Sequence, residues 1–257
     1  MTSLGGVAAV AVAGLAAGTI NTVVGSGTLI TFPVLLSLGV PPVTANVSNT
    51  IGLVPGGFSG VYGYRRELAG QRDRLRRLGL ASLLGGVFGA SLLLVLPAGV
   101  FKAVVPILIV LALVLVVAQP RLSRRYVGAD QAGTAEGATG RHPVLLWVLV
   151  LLTGVYGGYF GAAQGVLLVA MLGALLDSNL QRVNAVKNVL SLLVNLIAAV
   201  LFIVLAHPNW TYAAIIAVSS AFGGQLGAVV GRRLPAPALR AVIVVVGLAA
   251  LIKFLLF

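Results

Sequence analysis

Residues 14–42 read GLAAGTINTVVGSGTLITFPVLLSLGVPP, and the run at their centre, Asn21-Thr22-Val23-Val24-Gly25-Ser26-Gly27-Thr28, decides how the chain folds. It lies inside an apolar stretch covering 4–40. At about 1.5 Å per residue, a straight helix of that length far exceeds one bilayer crossing of about 20 residues, yet the stretch is too short for two crossings and a turn. A helical hairpin that enters the membrane, breaks at the glycines and returns satisfies both facts. A second stretch, 143–177, is interrupted in the same way at Gly161-Ala162-Ala163-Gln164-Gly165.

The two stretches are copies. Gly14, Gly18 and Gly25 recur 140 positions on as Gly154, Gly158 and Gly165, and Leu35, Leu36 and Ala45 recur as Leu175, Leu176 and Ala185. Further along, Gly85, Gly86, Gly89 and Ala90 recur 138 positions on as Gly223, Gly224, Gly227 and Ala228, as does Leu96-Pro97-Ala98 in Leu234-Pro235-Ala236. A near-constant offset of this kind marks an internal repeat. The chain divides into a first repeat (1–119), a linker (120–142) rich in Ala, Gly and Thr, and a second repeat (143–257). Each leading stretch is followed by three ordinary apolar segments, 43–63, 78–96 and 98–119 in the first half and 183–205, 211–231 and 237–256 in the second.

Composition places these segments in lipid. Of 257 residues, 59% are apolar and 9% charged, against about 45–50% and about 25% in soluble domains. The net charge of +12 would suit a nucleic-acid binder, but its placement excludes that partner. Six arginines crowd into Arg65–Arg77, and Arg121, Arg124, Arg125 and Arg141 lie at the two ends of the linker. Basic residues in short loops between apolar segments fix membrane topology, facing the cytoplasm. The first 22 residues carry no Lys or Arg, unlike a signal peptide, and are expected to stay as a membrane segment.

Loop charge also orients the halves. The Arg65–Arg77 loop corresponds to His207-Pro208-Asn209-Trp210, which has no Lys or Arg; the uncharged Pro41-Pro42 turn corresponds to Asp177–Lys187, which holds Arg182 and Lys187. If each leading stretch is re-entrant, each half crosses three times and the second is upside down relative to the first. Equivalent loops then lie on opposite sides, as their charges require. The expected fold is an all-α polytopic membrane protein of two inverted repeats, each a re-entrant helical hairpin plus three transmembrane helices. The chain is expected as a multi-pass protein of the cytoplasmic (inner) membrane with both termini outside; assembly into a homo-oligomer is left open.

Broken helices survive at membrane depth only where protein or water surrounds them, and paired breaks between inverted repeats form transporter substrate sites. The hairpin tips are therefore the candidate site. Each second arm starts just after the glycines, near Thr28 and near Val166, and presents unpaired N–H groups and partial positive charge to an anion. Gly25, Gly27, Gly161 and Gly165 would allow close backbone approach, while Asn21, Thr22, Ser26, Thr28 and Gln164 add neutral hydrogen-bonding groups. The bland reading of such glycines is tight helix packing, as at Gly14/Gly18 and Gly85/Gly89. The helix after each hairpin carries a polar face. Asn184, Lys187, Asn188, Ser191 and Asn195 fall on one stripe of the second half; Asn46, Asn49 and Thr50 do so in the first, with Thr44 and Ser48 equivalent to Asn184 and Asn188. Interhelical hydrogen bonding explains one or two such residues, whereas two facing stripes suggest a hydrated path. Lys187 has two readings: it faces the site with an anion as transient partner, or it snorkels to the cytoplasmic surface.

Absences narrow the chemistry. The acids are Glu67, Asp73, Asp130, Glu136 and Asp177, each in a loop or at a segment end, so no helix interior carries the carboxylate usual in cation pumps and proton relays. There is no cysteine, and His142 and His207 both sit beside proline. No Walker A, HExxH or GxSxG pattern occurs. Neither an enzyme nor a resident metal or cofactor is expected.

GLAAGTINTVVGSGTLITFPVLLSLGVPP (14–42), SGVYGYRREL (59–68) and GVYGGYFGAAQGVLLVAML (154–172) together resemble the sulfite exporter TauE/SafE family over nearly the whole chain. The first tip departs from it, reading GSGT where a longer glycine run is common. The resemblance implies passage of a small sulfur-containing anion, inorganic or organic, such as sulfite or an organosulfonate. The expected function is transport, in the direction of export, by alternating access around a central site. The alternative is a membrane-embedded binding or assembly subunit, with polar stripes as helix glue and the Arg65–Arg77 loop docking a partner.

Overall fold

Proline and glycine punctuate the apolar sequence into helices, and the computed structural model describes residues 4–130, 143–177, 179–229 and 236–256 of them. In chain order they are α1 (Leu4–Val23), α2 (Thr28–Ser37), α3 (Pro42–Gly63), α4 (Arg72–Val95), α5 (Ala98–Asp130), α6 (Pro143–Tyr159), α7 (Gln164–Leu175), α8 (Leu180–Leu205), α9 (Trp210–Val229) and α10 (Ala236–Leu256). No strand occurs among the described residues. Pro42 opens α3, where its missing N–H costs nothing. The Asn179 side chain caps α8 by accepting from the Gln181 and Arg182 N–H groups.

Both leading stretches are broken helices, α1/α2 and α6/α7. Two elements are longer than the apolar pattern suggests. α4 begins at Arg72, since the arginines are good helix formers and Arg72, Arg76 and Arg77 face solvent. α5 runs to Asp130, through the first part of the segment expected as linker; residues 131–142 lie outside the described ones. Among the described residues, five helices are long and apolar enough to cross a bilayer: α1, α4, α5 over Ala98–Ala118, α8 and α9. α1 is among them, so the first arm of the leading stretch has spanning length by itself, while α2 has ten residues. Large apolar side chains such as Phe88, Ile107, Val114 and Phe222 are exposed. A band of that kind on a multi-pass helical chain belongs in lipid.

Small residues set the packing between halves. Gly14 backs onto Ser219 and Ile216, Gly18 onto Ser220 and Gly224, and Gly227 onto Thr19 and Thr22, so α1 and α9 lie side by side with numbering rising together. α4 and α6 repeat the arrangement: Gly85 meets Leu151 and Gly154, and Gly89 meets Val155 and Tyr159. A Cβ on Gly89 would fall 2.0 Å from the Val155 carbonyl oxygen, an approach only glycine permits. α3 packs on α9 and α4 on α8. Exchanging the halves turns each of these pairs into another. The equivalent helices α3 and α8 also meet, with Gly57 against Leu192 and Tyr64 against Asn184, so numbering rises along one as it falls along the other.

Two further contacts frame the centre. Phe32 of α2 meets the rings of Phe160 at 5.3 Å and Phe101 at 6.5 Å, both edge-on, and Phe101 meets Tyr159 at 5.5 Å. This aromatic cluster fixes α2 and the second break against α5. At the basic end, Asp177 before α8 pairs with Arg74 of α4 at 2.9 Å and Arg182 of α8 at 3.1 Å.

Candidate functional site

The first break is held open by Gly25, whose φ of +87° suits glycine. α2 starts at Thr28, as the sequence suggests. The second break passes through Gly161 at φ +78° and Ala163 at φ +59°, an uncommon left-handed alanine, before α7 begins at Gln164. The Tyr156 hydroxyl donates to the Ala162 carbonyl and pins this turn. The two tips touch. Gly165 N–H donates to the Gly25 carbonyl at 3.0 Å, and a Cβ on either glycine would lie 2.3–2.4 Å from the other's Cα. Gly25 and Gly165 are equivalent positions of the two repeats. The unpaired N–H groups expected at the start of α7 are therefore not found: Gly165 N–H is spent on this contact, Gln164 N–H goes to the Gly161 carbonyl, and the Val166 and Leu167 N–H groups go to the Ala163 carbonyl. Gly27 instead packs on its own α1, where a Cβ would lie 2.4 Å from the Ala17 carbonyl oxygen.

Polar side chains gather on two sides of this contact. On one, α8 reaches the broken end of α1: Lys187 Nζ donates to the Asn21 carbonyl at 3.0 Å and the Thr22 carbonyl at 2.9 Å. The Asn184 and Asn188 amides also point at the Thr22 carbonyl, at 3.4 and 3.3 Å, and Asn184 donates to the Tyr64 hydroxyl at 3.1 Å. Lys187 is 0% exposed, and the Cβ of a residue at 165 would meet its Cδ at 2.9 Å. It therefore faces the tips and does not snorkel. On the other side, α3 reaches the start of α2 and the end of α6. Asn49 donates to Thr28 Oγ1 at 3.1 Å and accepts from the Thr31 hydroxyl, while Asn46 donates to the Tyr159 carbonyl at 3.0 Å. Gly161 lies beside Thr28.

Each broken helix end, of α1 and of α6, thus receives an N–H donor from the third helix of the other half. Ser48 is drawn elsewhere, its Oγ accepting the Asn209 N–H at 2.8 Å in the α8–α9 turn. Several buried polar atoms around the tips have no hydrogen-bond partner: Ser26 Oγ, Asn46 Oδ1, Gln164 Nε2 and Asn184 Oδ1. Native interiors leave few such atoms, and those that remain are candidates for contact with water or a ligand. Gln164 lies over Gly157, where a Cβ would collide with its amide.

Three participants were not singled out from the sequence. Thr31 follows Thr28 by one helical turn and could have been found on that spacing. Tyr64, 1% exposed, and the Tyr159 carbonyl carry no sequence signal, because their roles depend on contacts across the halves.

Charge at the basic end is balanced differently. Burial works to raise the Asp177 carboxyl, but the Asn179 N–H and the Arg74 and Arg182 guanidiniums outweigh it and hold it below the ordinary carboxylate value. A cavity of about 670 Å³ opens beside this cluster, lined by Arg74, Arg77, Leu78, Trp147 and Leu175 among others. None of the predicted site residues lines it, so its size does not locate the tips' chemistry. No group of three or more metal-binding side chains occurs among the described residues.

A family-wide sequence profile described as "Sulfite exporter TauE/SafE" matches residues 10–254. Similar curated proteins include "Probable membrane transporter protein YfcA" of Escherichia coli (strain K12), 26% identical over 82% of this chain and 75% of its own length. A "Probable membrane transporter protein" of Haemophilus influenzae is 28% identical over 84% of this chain and 81% of its own. "Probable membrane transporter protein ORF9" of Sinorhizobium sp is 26% identical over 95% and 90%. No solved structure matches the chain.

Proposed function

The chain belongs to the sulfite exporter TauE/SafE family of membrane transporters, and on that premise we propose that it moves a small sulfur-containing anion, such as sulfite or an organosulfonate, out of the cell. The anion is bound beside the touching hairpin tips and exposed to each side in turn as the halves rock about the Gly25–Gly165 contact. The carrying observation is the fully buried Lys187 beside that contact, which pairs with backbone carbonyls and with no carboxylate among the described residues. The end of α1 supplies about half an elementary negative charge, so positive potential remains. The start of α2 adds the positive end of a second dipole. Thr28, Asn49 and the unpartnered Ser26 Oγ and Gln164 Nε2 offer neutral contacts to an oxyanion.

We also propose that the halves are inverted in the membrane. The opposed directions of α3 and α8, and the parallel pairs α1/α9 and α4/α6, support this reading. So does the gathering of the Arg65–Arg77 loop and the Asp177–Arg182 loop at one end, assigned to the cytoplasm. Both termini are then outside, in the cytoplasmic membrane.

Proteoliposomes loaded with sulfite, methanesulfonate or sulfoacetate test the transport reading. The purified protein should catalyse flux of at least one of them. Asn49→Ala should lower that flux by roughly tenfold, about 1.4 kcal/mol, as expected when buried hydrogen-bonding partners are left unpaired. Monodisperse protein that moves none of these anions would sink the reading.

A further inference from the structure

We propose that Lys187 fills, with its own ammonium group, a monovalent-cation site at the broken end of α1, so that the chain carries a tethered cation where a free coupling ion could bind. The cradle is made of oxygen atoms. Lys187 Nζ sits 3.0 Å from the Asn21 carbonyl and 2.9 Å from the Thr22 carbonyl, and these are among the last carbonyls of α1, which no longer have partners in their own helix. Asn184, one turn earlier on α8, directs its amide nitrogen at the same Thr22 carbonyl, and its Oδ1 is buried with no hydrogen-bond partner, Nζ included. Discontinuous helices in carriers present such freed C-terminal carbonyls to Na⁺ or a proton, with the negative end of the helix dipole behind them.

Comparison of the repeats separates a cation site from ordinary capping. The residue equivalent to Lys187 in the first half is Val47, and the broken end of α6 is served by the neutral amide of Asn46 on the Tyr159 carbonyl at 3.0 Å. Closing a broken helix in this fold therefore needs no charge. The end of α1 already receives two amides of the same kind, Asn184 and Asn188, at 3.4 and 3.3 Å from the Thr22 carbonyl. The ammonium is additional to them. It is 0% exposed, and its partners are the Asn21 and Thr22 carbonyls, with no ion pair to a carboxylate among the described residues. Taking an ammonium out of water costs several kcal/mol, an expense a capping amide avoids.

Ion coupling rests on the proposed transport; the cation site does not, and its test reads stability in the absence of any transported anion. Full-length Lys187→Ala and Lys187→Met are purified and their unfolding midpoints measured in choline chloride, with Na⁺, K⁺ or methylammonium then replacing choline. Methylammonium is the severed head of the lysine side chain. Lys187→Ala should melt below the wild type and be raised by several degrees, saturably, by methylammonium or one of the alkali cations. The wild type and Lys187→Met, whose stem fills the space, should not respond. If Lys187→Ala aggregates, it is expressed and purified with methylammonium throughout, and Lys187→Thr, which adds a hydroxyl oxygen to the cradle, is measured beside it. Recovery of a monodisperse peak in methylammonium alone supports the site. A folded Lys187→Ala without cation-specific stabilisation, equal stabilisation of the wild type, or failure of both variants to recover in any cation overturns it.

Discussion

Gly25 and Gly165 are the residues on which the centre of the protein turns, because each occupies space that a methyl group on the other would need. Gly25→Ala adds left-handed strain of about 1–2 kcal/mol to a Cβ placed 2.3 Å from the Gly165 Cα; Gly165→Ala adds only the collision. Each variant should lower thermal stability. The double variant should cost less than the sum of the two, by roughly 0.5–3 kcal/mol, since both break one contact. Strict additivity would mean that the tips do not meet. At this scale the sequence was partly informative. The stripe Asn184, Lys187 and Asn188 was legible by helical spacing, as was Asn49, and the structure brings them to the tips. The partner of Lys187 was not legible, because backbone carbonyls leave no mark in a sequence. For the same reason Ser48, equivalent to Asn188, could not be distinguished from it until the α8–α9 turn was seen to claim its hydroxyl.

Broken helices and loop clamps set the behaviour of the elements. The positions of both breaks could be read from glycine and polar residues inside apolar stretches, and α2 and α7 begin within two residues of the expected starts. The start of α4 could not be read from hydropathy, because six residues of arginine-rich helix precede its apolar part. That extension places Arg74 against Asp177 and so ties α4 to the loop before α8. The Asp177 carboxyl is held below its ordinary value of 3.8. A depressed folded pKa contributes stability that is present above the unfolded value and lost as pH falls through the folded one. Lowering pH below about 4 should therefore destabilise the wild type more than Asp177→Asn. The difference at neutral pH should stay within about 1 kcal/mol, because both arginines are about one-third exposed and solvent screens the pairs. A variant as acid-sensitive as the wild type would remove Asp177 from this role.

At the scale of the whole molecule, an apolar helical chain was legible from composition, while the two-part repeat is proposed from sequence offsets of 138 and 140. Which helix of one half packs on which of the other was not, since glycine stripes on α1, α4, α6 and α9 are interchangeable until the fold pairs them. That pairing, α1 with α9 and α4 with α6, puts equivalent glycines of the two tips in contact and leaves a buried cation beside them. It is the physical basis for proposing inverted halves around one anion site. Because the chain has no cysteine, single cysteines can be placed at Ala69 and His207, both exposed and in equivalent loops of the two halves. Labelling intact cells with a membrane-impermeant maleimide tests the inversion directly. The thiol at 207 should react from outside and the thiol at 69 only after the membrane is opened; labelling of both from the same side would contradict inverted halves.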